Sequence, residues 1–392
     1  IYSFKLIFDG KTMADFGIGL SGLNAVQKAL NTVGNNIANA ATEGYHKQRV
    51  EMSPSYYSAA GSITVGGGVE IKGITRVIDS LLEQEICRQQ SESAMLSQQD
   101  STLRTIENIF GDFSTEQAGL NAIIDKFFNS LQDLSTNPKD NIWLNQFVSN
   151  ANAMAGQFRI IGEYLTSLQT QIRTESENVI GTINTYTQQI ANLNDRIEAL
   201  EMVNNDANSL CDQRDKLISD LSKLIGVETI SRENGVVDVI TNGLPLVTGS
   251  ASSRIEFGLN DSQTAGITIE GGSNYVTDVR GGKLGGLLSL KNEIISDIQQ
   301  KFDTLAAAIM QEINKYHVQG VGTAGAFTSL TGWPNVSERL ADFSNVTDGS
   351  VYIRVTNTAT GEVLRSEIPV NSSTDSLSDI VEYINTNIAN LT

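Results

Sequence analysis

Proline is nearly missing: five in 392 residues. The strongest helix breaker is therefore rare, and long uninterrupted helices are permitted. Cysteine is as scarce. Cys87 and Cys211 each stand alone in a helical pattern, which excludes a disulfide framework and a Cys-rich zinc site. The two histidines, His46 and His317, are far apart in sequence. No apolar run approaches the roughly 18 residues of a membrane span; the longest lies near Leu305–Met310. Tyr2–Phe8 alternates with Ser3 and Lys5 and no small-residue cleavage site follows, so no signal peptide is read there. The expectation is a cytoplasmic chain, or one exported without a cleaved signal. Charged residues are only 18%, below the usual quarter, and Asn, Gln, Ser and Thr supply the polarity instead. The charge that remains is acidic, 27 − 45 = −18. It repels phosphate and argues against nucleic acid and anionic membranes as partners. The 40% of hydrophobic residues argues against a disordered chain. The length predicts about two to four domains.

What is present is periodicity. Leu20, Leu23, Val26, Leu30, Val33 and Ile37 recur at three- and four-residue steps, one apolar stripe on a helix from about Ala14 to Ala40. Thr42–Ile74 carries Gly44, Pro54, Gly61 and Gly66–Gly68 and reads as loop and hairpin. Arg76 to Phe110 is helical again, with Leu82, Leu96, Leu103 and Phe110 on one seven-residue row. Ser114 marks a new cap before a short helix over 116–134. Phe158, Ile161, Leu165, Leu168 and Ile172, then Val179, Ile183, Tyr186, Ile190, Leu193, Ile197 and Leu200, form heptads with one slip of phase. They predict a helix of about 50 residues, roughly 75 Å long, which must be a rod. Another helix follows over 212–225. The period switches at Gly226: Val236–Ile240, an Asn242–Gly243 turn and Leu246–Val247 predict a hairpin, and Ile267–Ile269 and Tyr275–Val279 further strands. Leu288, Ile295, Ile298, Phe302, Leu305, Ile309 and Tyr316 restore the helical stripe. Val351–Val355 and Val363–Val370 predict a second hairpin, with a final helix over Leu377–Leu391.

The fold class expected is α+β, a long α-helical coiled-coil rod interrupted by β-rich modules. Residues 1–12 are read as a leader before a possible start at Met13. Residues 13–75 form the N-terminal axial helix with its loop and hairpin, and 76–225 the rod domain. Residues 226–282 form a β-rich insertion, 283–318 the helix returning to the rod, and 319–392 the start of a second β-rich outer module, truncated before a C-terminal helix.

Chemistry-bearing motifs are thin. Gly17, Gly19 and Gly22 spell G-x-G-x-x-G, but no strand runs into the first glycine and no βαβ series follows, so close helix packing is the better reading. Gly66–Gly68 lacks the Lys-Ser/Thr of a phosphate loop and reads as a flexible turn. His46, beside Lys47 and Arg49, reads as a surface histidine, and His317 as a cation suited to a helix end. Asp212, Arg214, Asp215 and Lys216 read as a capping and salt-bridge cluster. Asp195 and Glu198 read as solvated carboxylates on an exposed helix face. No G-x-S-x-G elbow or His-Glu-x-x-His appears. The chain is expected to be no enzyme, with no catalytic residue, no metal and no cofactor. The Leu20–Ile37 stripe lacks a partner, since the other stripes pair among themselves. An inter-chain partner or a C-terminal helix beyond this sequence is expected to cover it.

Ser21–Asn39, with Asn35, Asn36, Ile37, Ala38 and Asn39 at its end, followed by Gly44 and Tyr45, resembles the N-terminal motif of bacterial flagellar rod, hook and hook-associated proteins. Gly68–Arg76 running into Asp79–Gln90, Leu210–Leu217 followed by Gly235–Leu246, and Gly281–Leu288 narrow the resemblance to the hook-associated protein 1 family of hook–filament junction proteins. The resemblance covers nearly all of 13–330 and weakens beyond. It implies a structural, self-assembling component of the extracellular flagellum, needed for motility and secreted through the type III export channel without signal cleavage. Its implied partners are copies of itself in a ring, hook protein, a second junction protein or filament, and an export chaperone bound through a C-terminal segment beyond Thr392; neither nucleic acid nor membrane is expected. The implied assembly interface is Leu20, Leu23, Val26, Leu30, Val33 and Ile37. Two alternatives stand: another axial protein (hook or distal rod subunit), or an axial protein with an enzymatic insertion.

Overall fold

The computed structural model describes residues 10–57, 65–111, 119–203, 205–317, 339–342, 346–356, 360 and 362–387. The chain divides into two compact units, Ile1–Glu312 and Ile313–Thr392.

The first unit is organised on one helix. In chain order its elements begin with α1 (Gly10–Ala38), β1 (Gln48–Tyr57), β2 (Val65–Arg76), α2 (Ser80–Phe110) and α3 (Leu120–Thr136). The longest element, α4 (Asn141–Glu201), has 61 residues, about 92 Å at 1.5 Å per residue. It is longer than the heptads predicted because its first turns, capped by Asp140 accepting from Ile142 N at 2.8 Å, pack on α3 instead of continuing the stripe. Phe127 and Phe147 meet there at 5.4 Å between ring centroids. Downstream the stripe is buried as its spacing dictates: Ile161, Leu165, Ile183, Ile190 and Ile197 are all 0% exposed. At the slip of phase sits Ser176, also fully buried, its hydroxyl donating to Ile172 O at 2.8 Å. Ser176 ends a second consecutive four-residue step, from Leu168 through Ile172, and so takes up the slip as a small buried residue.

Helix α5 (Asn208–Ser222) packs on α4 and α2. Six short strands then lie against the rod: β3 (Glu228–Ser231), β4 (Val237–Thr241), β5 (Leu244–Thr248), β6 (Ala251–Ser252), β7 (Ile255–Leu259) and β8 (Ala265–Ile269). The first four form one antiparallel sheet in sequence order, and β7 pairs with β8. Asn242 and Gly243, both at positive φ (45° and 80°), make the tight turn between β4 and β5 that their sequence predicts. Three asparagine amides join the strands to helices. Asn184 pairs with both backbone groups of Ile255, accepting from N and donating to O at 2.9 Å each. Asn194, fully buried, donates to Val237 O and Gly249 O at 2.8 Å each. Asn292 accepts from Ala265 N at 2.9 Å and donates to Ala265 O at 2.8 Å. A neutral amide matches a strand edge as another peptide would, so buried backbone groups are satisfied without charge.

The chain returns through α6 (Gly282–Ser289), a π-helical turn at Leu290–Ile294 that carries Asn292, and α7 (Ile295–His317). Helix α6 crosses α2 closely. A β-carbon on Gly286 would stand 2.8 Å from Met95 O, so the glycine there is a requirement of contact. Phe302 of α7 stacks on Phe158 at 5.0 Å and meets Phe110 edge-on at 5.6 Å.

The second unit holds the antiparallel pair β9 (Gly349–Thr356) and β10 (Val363–Val370), with α8 (Leu377–Asn387) on β10. Helix α8 begins in a capping box: Asp379 N donates to Ser376 Oγ at 3.1 Å and Ser376 N to Asp379 Oδ2 at 2.8 Å. Its predicted extension to Leu391 lies outside the described residues.

Several expectations are corrected. Helix α2 starts at Ser80, not Arg76, because Asp79 caps it by accepting from Leu81 N and Leu82 N. Its row Leu82, Leu96 and Leu103 is exposed (55%, 52% and 37%), while Ser91, Thr102 and Ile106 are buried; Ser91 lies where Gly281 passes close to α2. Gly66–Gly68 lies in β2 rather than in a flexible turn. Tyr275–Val279 forms no strand; Val276 makes a single bridge to Ile267. The short helix begins at Leu120, and the expected cap Ser114 lies outside the described residues. Leu305 leaves the stripe at 41% exposure. Among the described residues no helix is long and apolar enough to cross a membrane.

Candidate assembly face and its anchor

Helix α1 is inside out by the standards of α4. Leu20, Leu23, Val26, Leu30, Val33 and Ile37 are 58%, 63%, 56%, 66%, 51% and 72% exposed. The face it buries is small and polar: Ala25 and Thr32 are buried, and Ser21, Ala29, Asn36 and Asn39 are half-buried, at steps of three and four. That face lies on the β1–β2 hairpin. Small side chains let the backbones approach. At Gly68 of β2, with φ +97°, a β-carbon would collide with Ser21 Oγ, and that hydroxyl accepts from Val69 N at 3.2 Å. Gly17, Gly19 and Gly22 have open space where a β-carbon would stand, so within this chain they mediate no close packing.

The motif residues after the stripe close this end of the helix. Asn36 Oδ1 accepts from Gln48 N at 2.9 Å and from the Tyr45 hydroxyl at 2.8 Å, while its amide donates to Gln48 O at 2.9 Å. Asn39 donates to Asn35 O at 3.0 Å and Asn35 Oδ1 at 2.9 Å. Asn35 donates to the Tyr45 hydroxyl at 3.4 Å. Ile37 and Ala38 point outward. Gly44, at φ +79°, takes the chain past Lys216 of α5. Burial, and then Asp212 nearby, hold the Tyr45 phenol above its usual pKa.

The hairpin is in turn anchored on the helical body by charges. Arg76 Nη1 donates to Asp212 Oδ1 at 3.0 Å and Asp215 Oδ2 at 2.6 Å. Burial disfavours the Arg76 charge, but Asp215 and Asp212 outweigh it and the group titrates above its ordinary value. His46 Nδ1 lies 2.8 Å from Asp212 Oδ1 and its Nε2 3.6 Å from Glu83. The ring is 16% exposed, so His46 is no surface histidine. Asp206 accepts from Ile74 N, and Asn208 donates to Ile74 O at 2.5 Å. Lys216 pairs with Glu43 at 3.1 Å. The Asp212–Lys216 cluster is thus a salt-bridge site as read, but Asp212 does not cap: α5 begins at Asn208. Arg76 and His46 were not legible as its partners, nor Asp206 as the partner of Ile74, since more than 130 residues separate His46 and Arg76 from Asp212 and Asp206 from Ile74. Asp195 is exposed and Glu198 half-buried on α4. His317 ends α7, and its side chain lies outside the described residues.

Among the described residues no group of three or more His, Cys, Asp or Glu side chains could hold a metal ion. Burial raises both thiols, Cys87 and Cys211, above their usual pKa, which opposes nucleophilic use. The site offers an apolar face on a polar mount.

Comparison with known proteins assigns that architecture to a lineage. Residues 103–329 match the family described as the flagellar hook-associated protein FlgK helical domain, and residues 16–46 match the flagella basal body rod protein family. Flagellar hook-associated protein 1 of Salmonella typhimurium is 30% identical over 320 residues, covering 78% of this chain and 57% of that protein. The Escherichia coli protein of the same name is 28% identical over 365 residues, covering 90% and 65%. The Bacillus subtilis one is 29% identical over 264 residues, covering 66% and 50%. The chain therefore spans between half and two-thirds of the length of these relatives. The solved structure of the flagellar hook junction protein FlgK from Burkholderia pseudomallei shares the fold with a TM-score of 0.56 at 24% identity, covering 74% of this chain and 60% of that one. With a match over more than half its length, the chain belongs to the flagellar hook-associated protein FlgK family.

Proposed function

We propose that this chain is the body of a hook–filament junction protein, a structural subunit that assembles as a ring of copies at the hook tip and adapts hook to filament. The observation that carries the reading is the α1 face. Six large aliphatic side chains stand in water on a helix whose other side is fixed by hydrogen bonds. Each would contribute about 1.5–3 kcal/mol if buried, which is a strong drive toward an inter-subunit or terminal-helix partner. The relatives' name and the junction described for the Burkholderia pseudomallei protein support placing that partner in the flagellar axis. Heptad packing along α4 supplies axial stiffness, and the β modules, facing outward, meet lateral neighbours. Export without a cleaved signal, to the outside of the cell, belongs to the same reading, as do a chaperone for export and the absence of enzymatic activity. The match of 16–46 to rod proteins favours the wider alternative of another axial subunit; the longer match over 103–329 favours the junction.

Electron microscopy of cells deleted for the gene tests this. The junction reading expects hooks without filaments and filament protein shed into the medium. Cells that still carry filaments, or that lack hooks altogether, would contradict it; loss of hooks would favour the rod or hook alternative.

A further inference from the structure

The apolar clusters that hold the helical body together draw their buried and partly buried side chains from α2 onward. Among the described residues, neither cluster includes a side chain from 10–57 or 65–76. The arm formed by α1 and the β1–β2 hairpin touches α5 through β2, and among the described residues ion pairs and hydrogen bonds tie it to the body. They are Arg76 to Asp212 and Asp215, His46 to Asp212 and Glu83, Ile74 to Asp206 and Asn208, and Glu43 to Lys216. Within the arm the bonds are denser: a nine-pair antiparallel register between the strands, with Asn36 on Gln48 and Ser21 on Val69.

We propose that this joint is a polar swivel: the arm turns as a rigid unit on the body when the Arg76 and His46 contacts are exchanged for water. An apolar joint resists such a motion because it would uncover surface at about 25 cal/mol per Å². A joint of ion pairs and hydrogen bonds carries no such penalty, since each group regains a partner in water. Its geometry is then set by a few directional contacts centred on Arg76. The swivel exists independently of any assembly role; its use, setting the α1 face at the angle a lattice requires, rests on the junction reading.

The test is distance measurement by pulsed electron resonance on the full chain, with spin labels on unnatural amino acids at exposed Lys28 in α1, Lys72 in β2 and Asn178 in α4. Wild type at low salt should give a narrow distribution for both Lys72–Asn178 and Lys28–Lys72. Arg76→Gln should broaden Lys72–Asn178 about twofold or more, as it removes the cation that Asp212 and Asp215 share across the joint, while Lys28–Lys72 stays narrow. Asn208→Ala, which keeps the charges, should broaden it less, and salt near 1 M, where the Debye length is about 3 Å, should act on wild type in the same direction, so a poorly folding Arg76→Gln would not leave the question open. If Lys72–Asn178 stays narrow under all these conditions, or if Lys28–Lys72 broadens with it, there is no swivel: the first result means a rigid joint, the second a melting arm.

Discussion

Helices α1 and α4 carry the same sequence signature and bury it in opposite senses. Both repeat large aliphatic residues at three- and four-residue steps. In α4, Ile183 and Ile190 are fully buried; in α1, Leu23 and Leu30 are 63% and 66% exposed. The difference lies in what the opposite faces offer. Polar residues of α4 face water, whereas Ser21, Ala25, Thr32 and Asn36 of α1 form a narrow surface that matches the hairpin by hydrogen bond and close approach. Periodicity announces a stripe; the complementary face decides whether the fold or a partner covers it.

That contrast can be broken by substitution. The largest effect is expected in α4: Ile190→Ala should cost about 2–5 kcal/mol in denaturant unfolding, while Leu30→Ala in α1 should stay within about 0.5 kcal/mol in the isolated chain. Next comes the amide that seats the β section on α4. Asn194→Ala leaves Val237 O and Gly249 O without their donor and should lose about 1–3 kcal/mol, read as a lower thermal midpoint. Smaller again, Asn36→Ala should free the Gln48 amide, raising its hydrogen-exchange rate roughly fivefold, the equivalent of about 1 kcal/mol, without moving the midpoint of the body. The smallest effect is electrostatic. Arg88 and Gln89 hold the Glu85 carboxyl at about 2, below its ordinary value of 4.5. A depressed carboxylate contributes above its unfolded value and loses that contribution as pH falls through its folded one. A carbon-detected NMR titration should therefore place the Glu85 midpoint at about 2, and Arg88→Ala should return it toward the ordinary range.

The rod, the switch to strands at Gly226, the Asn242–Gly243 turn and the return helix were all legible in the sequence, because each is written in local periodicity or turn chemistry. The row Leu82–Leu103 misled, because α2 approaches the chain through Ser91 at Gly281 and through the Met95 backbone at Gly286 of α6, and a small-residue contact leaves no hydrophobic signal. The amides Asn184, Asn194 and Asn292, and the joint of Arg76 and His46 with Asp212, were hidden for another reason. Their partners lie from 27 to more than 130 residues away, and a polar residue reads as solvated until the fold brings its partner to it. The unpaired α1 stripe was legible as a problem, and in the structure all six of its large side chains are exposed.

The most direct test is Leu23→Asp combined with Leu30→Asp, introduced into the full-length gene in cells lacking their own copy, with unfolding of the isolated chain measured in parallel. Hooks that fail to acquire filaments are expected, with an isolated chain that unfolds within about 0.5 kcal/mol of wild type. Normal filaments in the double variant would contradict the assembly role of the α1 face.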